Sequence, residues 1–475
     1  MKIKTLFVGI AFFSVQTSYA LELKECRIGT EYSTKIKAEC GKLSVAENRS
    51  NPSRMIDLNV AIVRTVSKKK QLDPVIMLAG GPGQSAVESF PQMYPAFRKI
   101  LKDRDVVLVD QRGTGHSNPL KCEFDEETQK QLNENPELIP QELQNCANKL
   151  DADTRFYTTP ESIKDLEEVR KALAIEKWNL LGISYGTRKA LTYMKMFPES
   201  IRSVILDGVM PQQEAMPQSH EKNLVNALRK QFELCKNQPT CNEAFGDVEQ
   251  QMWQVLDNVE ENQPKIRLQN FMTGEYDEIT VNKQMVAIAI RMFAYTPDSM
   301  RLLPLIIAKA NHGQLETIAS QGNLIGSLLS ENMSNVEISI ICAEDAPFYD
   351  EYNVESQNLF GEDSIEQIKR NCEVWPHSTV DADFKEPVVS DLPVLLLSGE
   401  LDPVTPPEFA ELAMQTLSNS QHLVAKGQGH NVFPKGCMPD IITQFINNPE
   451  DELDTKCMSD FDYEPFFINM MGPKQ

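Results

Sequence analysis

Gly182-Ile183-Ser184-Tyr185-Gly186 stands between Trp178-Asn179-Leu180-Leu181, which has the character of a buried strand end, and Thr187-Arg188-Lys189-Ala190-Leu191-Thr192-Tyr193-Met194, which opens a helix stopped near Pro198. A strand that runs into a helix across so short a turn leaves no room for a Cβ on either side of its central residue, which accounts for both glycines. The same turn lifts the serine hydroxyl above the sheet edge. Ser184 is therefore read as an activated nucleophile on an elbow-shaped turn.

Working outward from this turn, Val75-Ile76-Met77-Leu78-Ala79 and Val106-Val107-Leu108-Val109 have the length and branching of strands buried on both faces, and each ends in a glycine-rich loop. Pro160 to Ala174 carries Ile163, Leu166, Val169 and Leu173 at helical spacing and leads into the strand before Ser184. Ile201 to Leu206, Pro393 to Leu397 and Gln421 to Val424 supply further strands. Strands alternating with helices predict an α/β fold, a mostly parallel, doubly wound sheet with helices on both faces. From Met210 to Pro387 the rhythm changes to amphipathic segments such as Asn223 to Leu234, Glu249 to Val259 and Met300 to Ala310. That stretch is too long for a loop and is expected to be an inserted helical cap over 210–387, with residues 21–209 and 388–475 forming the core.

A serine hydroxyl needs a base within hydrogen-bond reach, and the base needs an acid to fix its tautomer and stabilise the imidazolium. In sheets of this kind catalytic loops leave the carboxyl ends of strands, and the elbow resembles that of the α/β-hydrolases, which implies the chain order Ser, then Asp or Glu, then His. His430, in Gly427-Gln428-Gly429-His430-Asn431, follows the last expected strand and is the preferred base. His116, in Gly113-Thr114-Gly115-His116-Ser117, is a rival that precedes the serine, and His422 sits inside a strand as a packing or surface residue. Leu395-Leu396-Leu397-Ser398-Gly399-Glu400-Leu401-Asp402-Pro403 offers two carboxylates. Asp402 is favoured over Glu400 because it lies deeper in the loop and Pro403 biases it to an extended backbone. Asp110 and Arg112, directly after a strand, are expected to support their loop through charge-assisted hydrogen bonds.

Gly80-Gly81-Pro82-Gly83, Asp110-Gln111-Arg112-Gly113-Thr114-Gly115-His116-Ser117, the serine turn and Gly399-Glu400-Leu401-Asp402-Pro403-Val404-Thr405-Pro406 together resemble the α/β-hydrolase exopeptidases of the proline iminopeptidase and tripeptidyl aminopeptidase type. The likeness covers most of residues 55–210 and 385–440. It implies an α/β-hydrolase fold and a serine aminopeptidase with a helical cap over its active site. Iminopeptidases usually carry His before the Gly-Gly-Pro-Gly stretch, where this chain has Ala79. That departure weakens a strict N-terminal-proline assignment, and the length, the export signal and the proline-rich acid loop look more like the larger tripeptidyl-aminopeptidase branch.

In such an enzyme Ser184 would attack the scissile carbonyl, His430 would take its proton and Asp402 would steady the ring. The oxyanion would be held by the backbone N–H of Tyr185 and by one from the glycine loop, Gly81 rather than Pro82, which has none. Recognition of a free α-amino group asks for carboxylates at a fixed distance from the nucleophile. Cys342-Ala343-Glu344-Asp345-Ala346-Pro347 is the candidate segment, with Glu344 ahead of Asp345. The same triad would serve a carboxylesterase or lipase, which is the alternative reading. No cofactor and no metal is expected, and the expected partners are peptides with free N-termini.

Residues 1–20 carry Lys2 and Lys4, the apolar run Leu6 to Val15, and Ser18-Tyr19-Ala20, the order of a secretory signal peptide; the run is too short to remain as a membrane anchor. An exported protein, periplasmic or secreted, is expected. All ten cysteines lie beyond that segment and fall into neighbouring pairs: Cys26 with Cys40, Cys122 with Cys146, Cys235 with Cys241, Cys342 with Cys372, and Cys437 with Cys457. Disulfides suit an exported chain better than a metal site. The net charge of −21, more negative still once Lys2 and Lys4 are removed, argues against nucleic acid or an anionic membrane as a partner.

Overall fold

The computed structural model describes residues 21–29, 34–125, 128, 131–132, 135–269, 274–322, 335–351, 359–360 and 364–473. The signal-like segment 1–20 lies outside the described residues.

Among them, nine strands form one sheet in the order β1-β2-β3-β5-β4-β6-β7-β10-β11. The strands are β1 (Lys24–Ile28), β2 (Ile36–Ala46), β3 (Met55–Val63), β4 (Val75–Leu78), β5 (Val106–Val109), β6 (Trp178–Ile183), β7 (Ile201–Asp207), β10 (Val394–Gly399) and β11 (Ser420–Ala425). β8 (Lys265–Gln269) and β9 (Tyr276–Thr280) pair separately. Pairing is parallel from β5 through β4, β6, β7 and β10 to β11, and antiparallel where β3 joins β5, β2 joins β3 and β1 joins β2. This is an α/β-hydrolase fold with a mostly parallel sheet.

The central strands β4, β5, β6 and β10 are buried along their whole length because helices cover both faces. On one face α1 (Ala86–Phe97) packs through Phe90 and Phe97 against Leu108 and Phe433. On the other, α2 (Thr159–Ala172) and α3 (Tyr185–Met196) bury Ile163, Leu166, Val169 and Leu191 against Ile76, Leu180 and Val204. Each such aliphatic side chain contributes about 1.5–3 kcal/mol on leaving water, so burial on both faces holds together the sheet centre that carries the site.

Between β7 and β10 the chain builds α4 (His220–Asn237), α5 (Val248–Asn262), α6 (Lys283–Phe293), α7 (Leu303–Asn311), α8 (Val336–Glu344) and α9 (Ser364–Val374), with the β8-β9 hairpin. α4 to α7 close over an apolar cluster of their own that includes Leu224, Leu256, Ile290 and Ile307, and Phe466 from the chain's end joins it. After β10 come α10 (Pro407–Met414) and α11 (Met438–Asn447). Disulfides join Cys26–Cys40 across β1 and β2, Cys122–Cys146, Cys235–Cys241, Cys342–Cys372 between α8 and α9, and Cys437–Cys457. No helix among the described residues is long and apolar enough to cross a membrane.

Two features of the sheet and insertion were not read from the sequence. β1 to β3 mix buried and exposed positions instead of running apolar throughout, and β2 alternates around Leu43 and Val45. The β8-β9 hairpin has the same mixed character and interrupts the helices of the insertion.

Candidate active site

Ser184 occupies the single residue between β6 and α3, at φ 56° and ψ −124°. A non-glycine residue there is strained, and the surroundings over-determine it. The Ser184 N–H donates to the Asp207 carbonyl at 2.8 Å, and the Thr187 N–H and hydroxyl both close on the Ser184 carbonyl. Gly186 lies so close to the Leu78 carbonyl of β4 that any Cβ would collide with it. Close crossing of strand and helix, rather than free rotation, is what demands glycine at that position.

His430 and Asp402 come from the loops after β11 and β10, and the imidazole Nδ1 and Asp402 Oδ2 stand 2.8 Å apart. Asp402 is fully engaged in addition. Its Oδ1 accepts the Val404 and Thr405 N–H groups at 2.8 and 2.9 Å, and its Oδ2 accepts the Thr405 hydroxyl at 3.0 Å. Such a carboxylate cannot swing away, so it fixes which ring nitrogen faces it and leaves the other for the hydroxyl. His430 and Ser184 converge on the same residues: Ser184 is bonded to Asp207, and a Cβ placed on Gly208 would lie 3.1 Å from His430 Cε1.

The insertion reaches this loop directly. Tyr295, just past α6, accepts the His430 N–H on its carbonyl at 2.8 Å and packs its ring edge-on to the imidazole, centroids 5.3 Å apart. Its hydroxyl accepts from Arg291 Nη2 at 3.2 Å. Burial by itself would lower the His430 imidazole; the charge and hydrogen bond of Asp402, then the charge of Asp207, outweigh it, and the group titrates above the ordinary histidine value. A base must be neutral to accept a proton, so a raised value keeps it inactive to higher pH. The acid limb of kcat/KM is expected above the ordinary histidine value of about 6.5, as a pH profile on any turned-over substrate would read.

Facing Ser184, the Gly80 loop approaches so closely that a Cβ on Gly80 would stand 3.1 Å from Ser184 Cβ. The Gly81 N–H, and that of Tyr185 at the start of α3, donate to no acceptor among the described residues. Two undirected amides beside a strained serine are the chemistry an oxyanion needs.

Glu344 and Asp345 are buried, and neither presents a free oxygen to an arriving amine. Glu344 accepts the Thr159 N–H at 2.6 Å and the Thr159 hydroxyl at 2.8 Å, and that hydroxyl is 2.6 Å from the Tyr185 hydroxyl. Burial pushes the Glu344 carboxyl up to about 7, against the Thr159 bond and the Arg188 charge. Asp345 takes both oxygens to Arg188 Nη1 at 2.9 Å and one to Lys385 Nζ at 2.5 Å. The physical reason for the departure is that α3 brings its own cation to the acidic pair. The carboxylate on α8 that keeps accessible surface is Glu337, two turns before Glu344 on the same face, with no hydrogen-bond or ion-pair partner among the described residues. Burial raises its carboxyl even though the Arg291 charge pulls the other way.

The other residues singled out from sequence have plain structural duties. His116 is exposed, 3.9 Å from Glu88. His422 lies on β11, 3.0 Å from the Ser398 hydroxyl. Glu400 accepts from the Gly427 N–H and the Tyr463 hydroxyl, each at 2.8 Å. Asp110 accepts from the Ser85 hydroxyl, Val87 N–H, Asn59 amide and His116 N–H, and Arg112 is bidentate to Asp165. Asp207, Tyr295, Arg188, Thr159, Thr405 and Glu337 were not anticipated.

Comparison with known proteins bears on the same regions. Residues 73–242 match the alpha/beta hydrolase fold family, and residues 357–457 match the family described as TAP-like protein. Relatives include the putative hydrolase YuaR of Escherichia coli, 29% identical over 179 residues, or 36% of each chain. The serine protease Hip1 of Mycobacterium tuberculosis is 29% identical over 189 residues, again 36% of each. The tripeptidyl aminopeptidase of Streptomyces coelicolor is 29% identical over 190 residues, 36% of this chain and 35% of that protein. The aligned stretches thus span about a third of the length of these relatives.

Proposed function

From a chain that belongs to the α/β-hydrolase family, with a TAP-like C-terminal portion, we propose an exported serine exopeptidase that removes single residues or short peptides from free N-termini. The observation that carries the reading is the convergence of the strained Ser184 and the Asp402-bonded His430 on Asp207-Gly208. Ser184 attacks the carbonyl carbon as His430 takes its proton. The tetrahedral oxyanion is met by the Tyr185 and Gly81 amides, and collapse expels the amine, which takes the proton back from His430. An acyl group remains on Ser184, and water, deprotonated by the same imidazole, releases it. The relatives named serine protease and tripeptidyl aminopeptidase favour an amine as leaving group. The insertion 210–387 acts as the cap of this site, supported by the contact of Tyr295 with His430. Five disulfides and the signal-like segment 1–20 support export.

Recognition of the α-ammonium group falls to Glu337, the accessible carboxylate on α8, with Glu344 and Asp345 shaping the helix end behind it. Arg291 acts electrostatically on both Glu337 and His430, which supports their lying in one charged neighbourhood. Glu337→Gln is expected to raise KM for free-amine anilides about tenfold or more, the loss of one charge-assisted bond of about 1.5–3 kcal/mol, and to leave an uncharged ester unaffected. Equal loss on both substrates would remove Glu337 from that role.

The deciding experiment is a panel of proline, alanine, dipeptide and tripeptide anilides with free or blocked amines, beside short and long acyl esters. Preferential cleavage of free-amine anilides is the expected result. Fast ester turnover with untouched anilides would make the protein a carboxylesterase or lipase-type hydrolase instead.

A further inference from the structure

Asp207 closes β7 with a fully buried side chain, and separate parts of the site meet on it. Its carbonyl accepts the Ser184 N–H at 2.8 Å. Its carboxylate accepts the Val432 N–H on Oδ1 at 2.9 Å and the Phe433 N–H on Oδ2 at 3.0 Å. In the sheet it is registered beside Ile183, which immediately precedes the nucleophile, and Leu397, on the strand that leads to the acid. The chain reaches the two amide donors from His430 through Asn431, a residue held at φ 67°. The base loop therefore turns tightly and ends with its amides gathered on one carboxylate.

Those two amides could be satisfied by a neutral side chain at far lower cost, because a buried ion is expensive. Burial pushes the Asp207 carboxyl up to about 6, against the two amide bonds and the His430 charge. The groups facing the imidazole are Asp402 and Asp207 with negative charge, Arg291 from α6 with positive charge, and His220 at the start of α4. A charge retained here at such a cost has a purpose if the ring beside it becomes a cation during turnover.

We propose that Asp207 is a positioning residue of the reaction: its carboxylate holds the base loop while its carbonyl holds the nucleophile turn, and the carboxylate adds a second negative charge to steady the imidazolium. The inference rests on the serine chemistry proposed above. If that chemistry is absent, unsubstituted protein will not be labelled at Ser184 by a fluorophosphonate, which separates its failure from the failure of this proposal.

Asp207→Asn keeps the shape, leaves one oxygen for the two amides and removes the charge. On whichever substrate the wild type turns over, kcat is expected to fall about 10–100-fold with KM nearly unchanged, the scale of a slightly misplaced base. Loss of a negative charge beside His430 also makes its proton easier to lose, so the acid limb of kcat/KM should move to lower pH. In a His430→Ala background the same substitution should cost nothing further in residual turnover per folded molecule, because its effect runs through the ring. Unchanged kcat with an unmoved acid limb would overturn the proposal, as would an undiminished loss in the His430→Ala background. Should Asp207→Asn fail to fold, Asp207→Glu keeps the charge but displaces the loop it holds: kcat should fall while the acid limb of kcat/KM stays above the ordinary histidine value. Unchanged kcat in that variant would show that Asp207 does not position the base loop.

Discussion

Ser184→Ala is expected to lower kcat by about 10^4- to 10^6-fold on every substrate the protein turns over, with little change in thermal stability. The reason for so large an effect is that no other group can form the acyl intermediate. The hydroxyl of Thr187 points back to the Ser184 carbonyl, and the Thr405 hydroxyl is spent on Asp402. The strain at φ 56° belongs to the backbone between β6 and α3 and persists with alanine, so the melting temperature should hold. Residual turnover would come from the Tyr185 and Gly81 amides and from substrate binding alone. Because nucleophile and base act as a unit, adding His430→Ala to Ser184→Ala should cost almost nothing more. A Ser184→Ala protein that retains a tenth of the wild-type kcat, measured on protein checked for contaminating hydrolase, would remove serine catalysis from this chain.

Much of this was legible in the chain because two kinds of signal are strong. Strands buried on both faces, such as Val75–Leu78 and Val106–Val109, must be apolar throughout and end where glycine lets the backbone turn. The nucleophile turn demands glycine at close crossings, and the order serine, acid, base locates Asp402 and His430 once the strands are placed. What escaped is what depends on neighbours distant in sequence. Glu344 and Asp345 read as a free acidic pair, since nothing in Cys342-Ala343-Glu344-Asp345 reveals that Arg188, on another helix, is directed at Asp345. Tyr295 lies in a polar turn of the insertion and carries no mark of its contact with His430. Asp207 did leave a trace, as a carboxylate ending the buried strand Val204-Ile205-Leu206 directly before a glycine. A charge where the pattern asks for an apolar residue signals a buried partner, here the amides of Val432 and Phe433, just after His430.

Asp345→Ala is expected to destabilise the protein by about 3–5 kcal/mol, read from denaturant or thermal melts, because it takes away the one carboxylate hydrogen-bonded to Arg188 among the described residues and leaves the guanidinium charged in the interior. Asp345 meets the guanidinium with both oxygens at 2.9 Å, and both side chains are wholly buried. The other nearby acceptor, the Glu214 carbonyl, offers a dipole and no charge. Lys385 shares Asp345 at 2.5 Å and responds differently from Arg188. Burial and the Arg188 charge already hold its ammonium down at about 8, and without Asp345 it falls further and gives up its proton, which a guanidinium cannot do. The folded state then binds fewer protons than the unfolded one across the range up to the unfolded lysine value, so the variant gains stability as pH rises. The deficit should accordingly be largest in mildly acidic buffer and shrink toward pH 8. This linkage also separates support from recognition: at a temperature where the variant is still folded, KM for free-amine anilides should match the wild type. A melt unchanged at all pH values would mean that Arg188 finds another partner when Asp345 is gone. A selective rise in KM would return Asp345 to the amine-binding role that its engagement with Arg188 and Lys385 argues against.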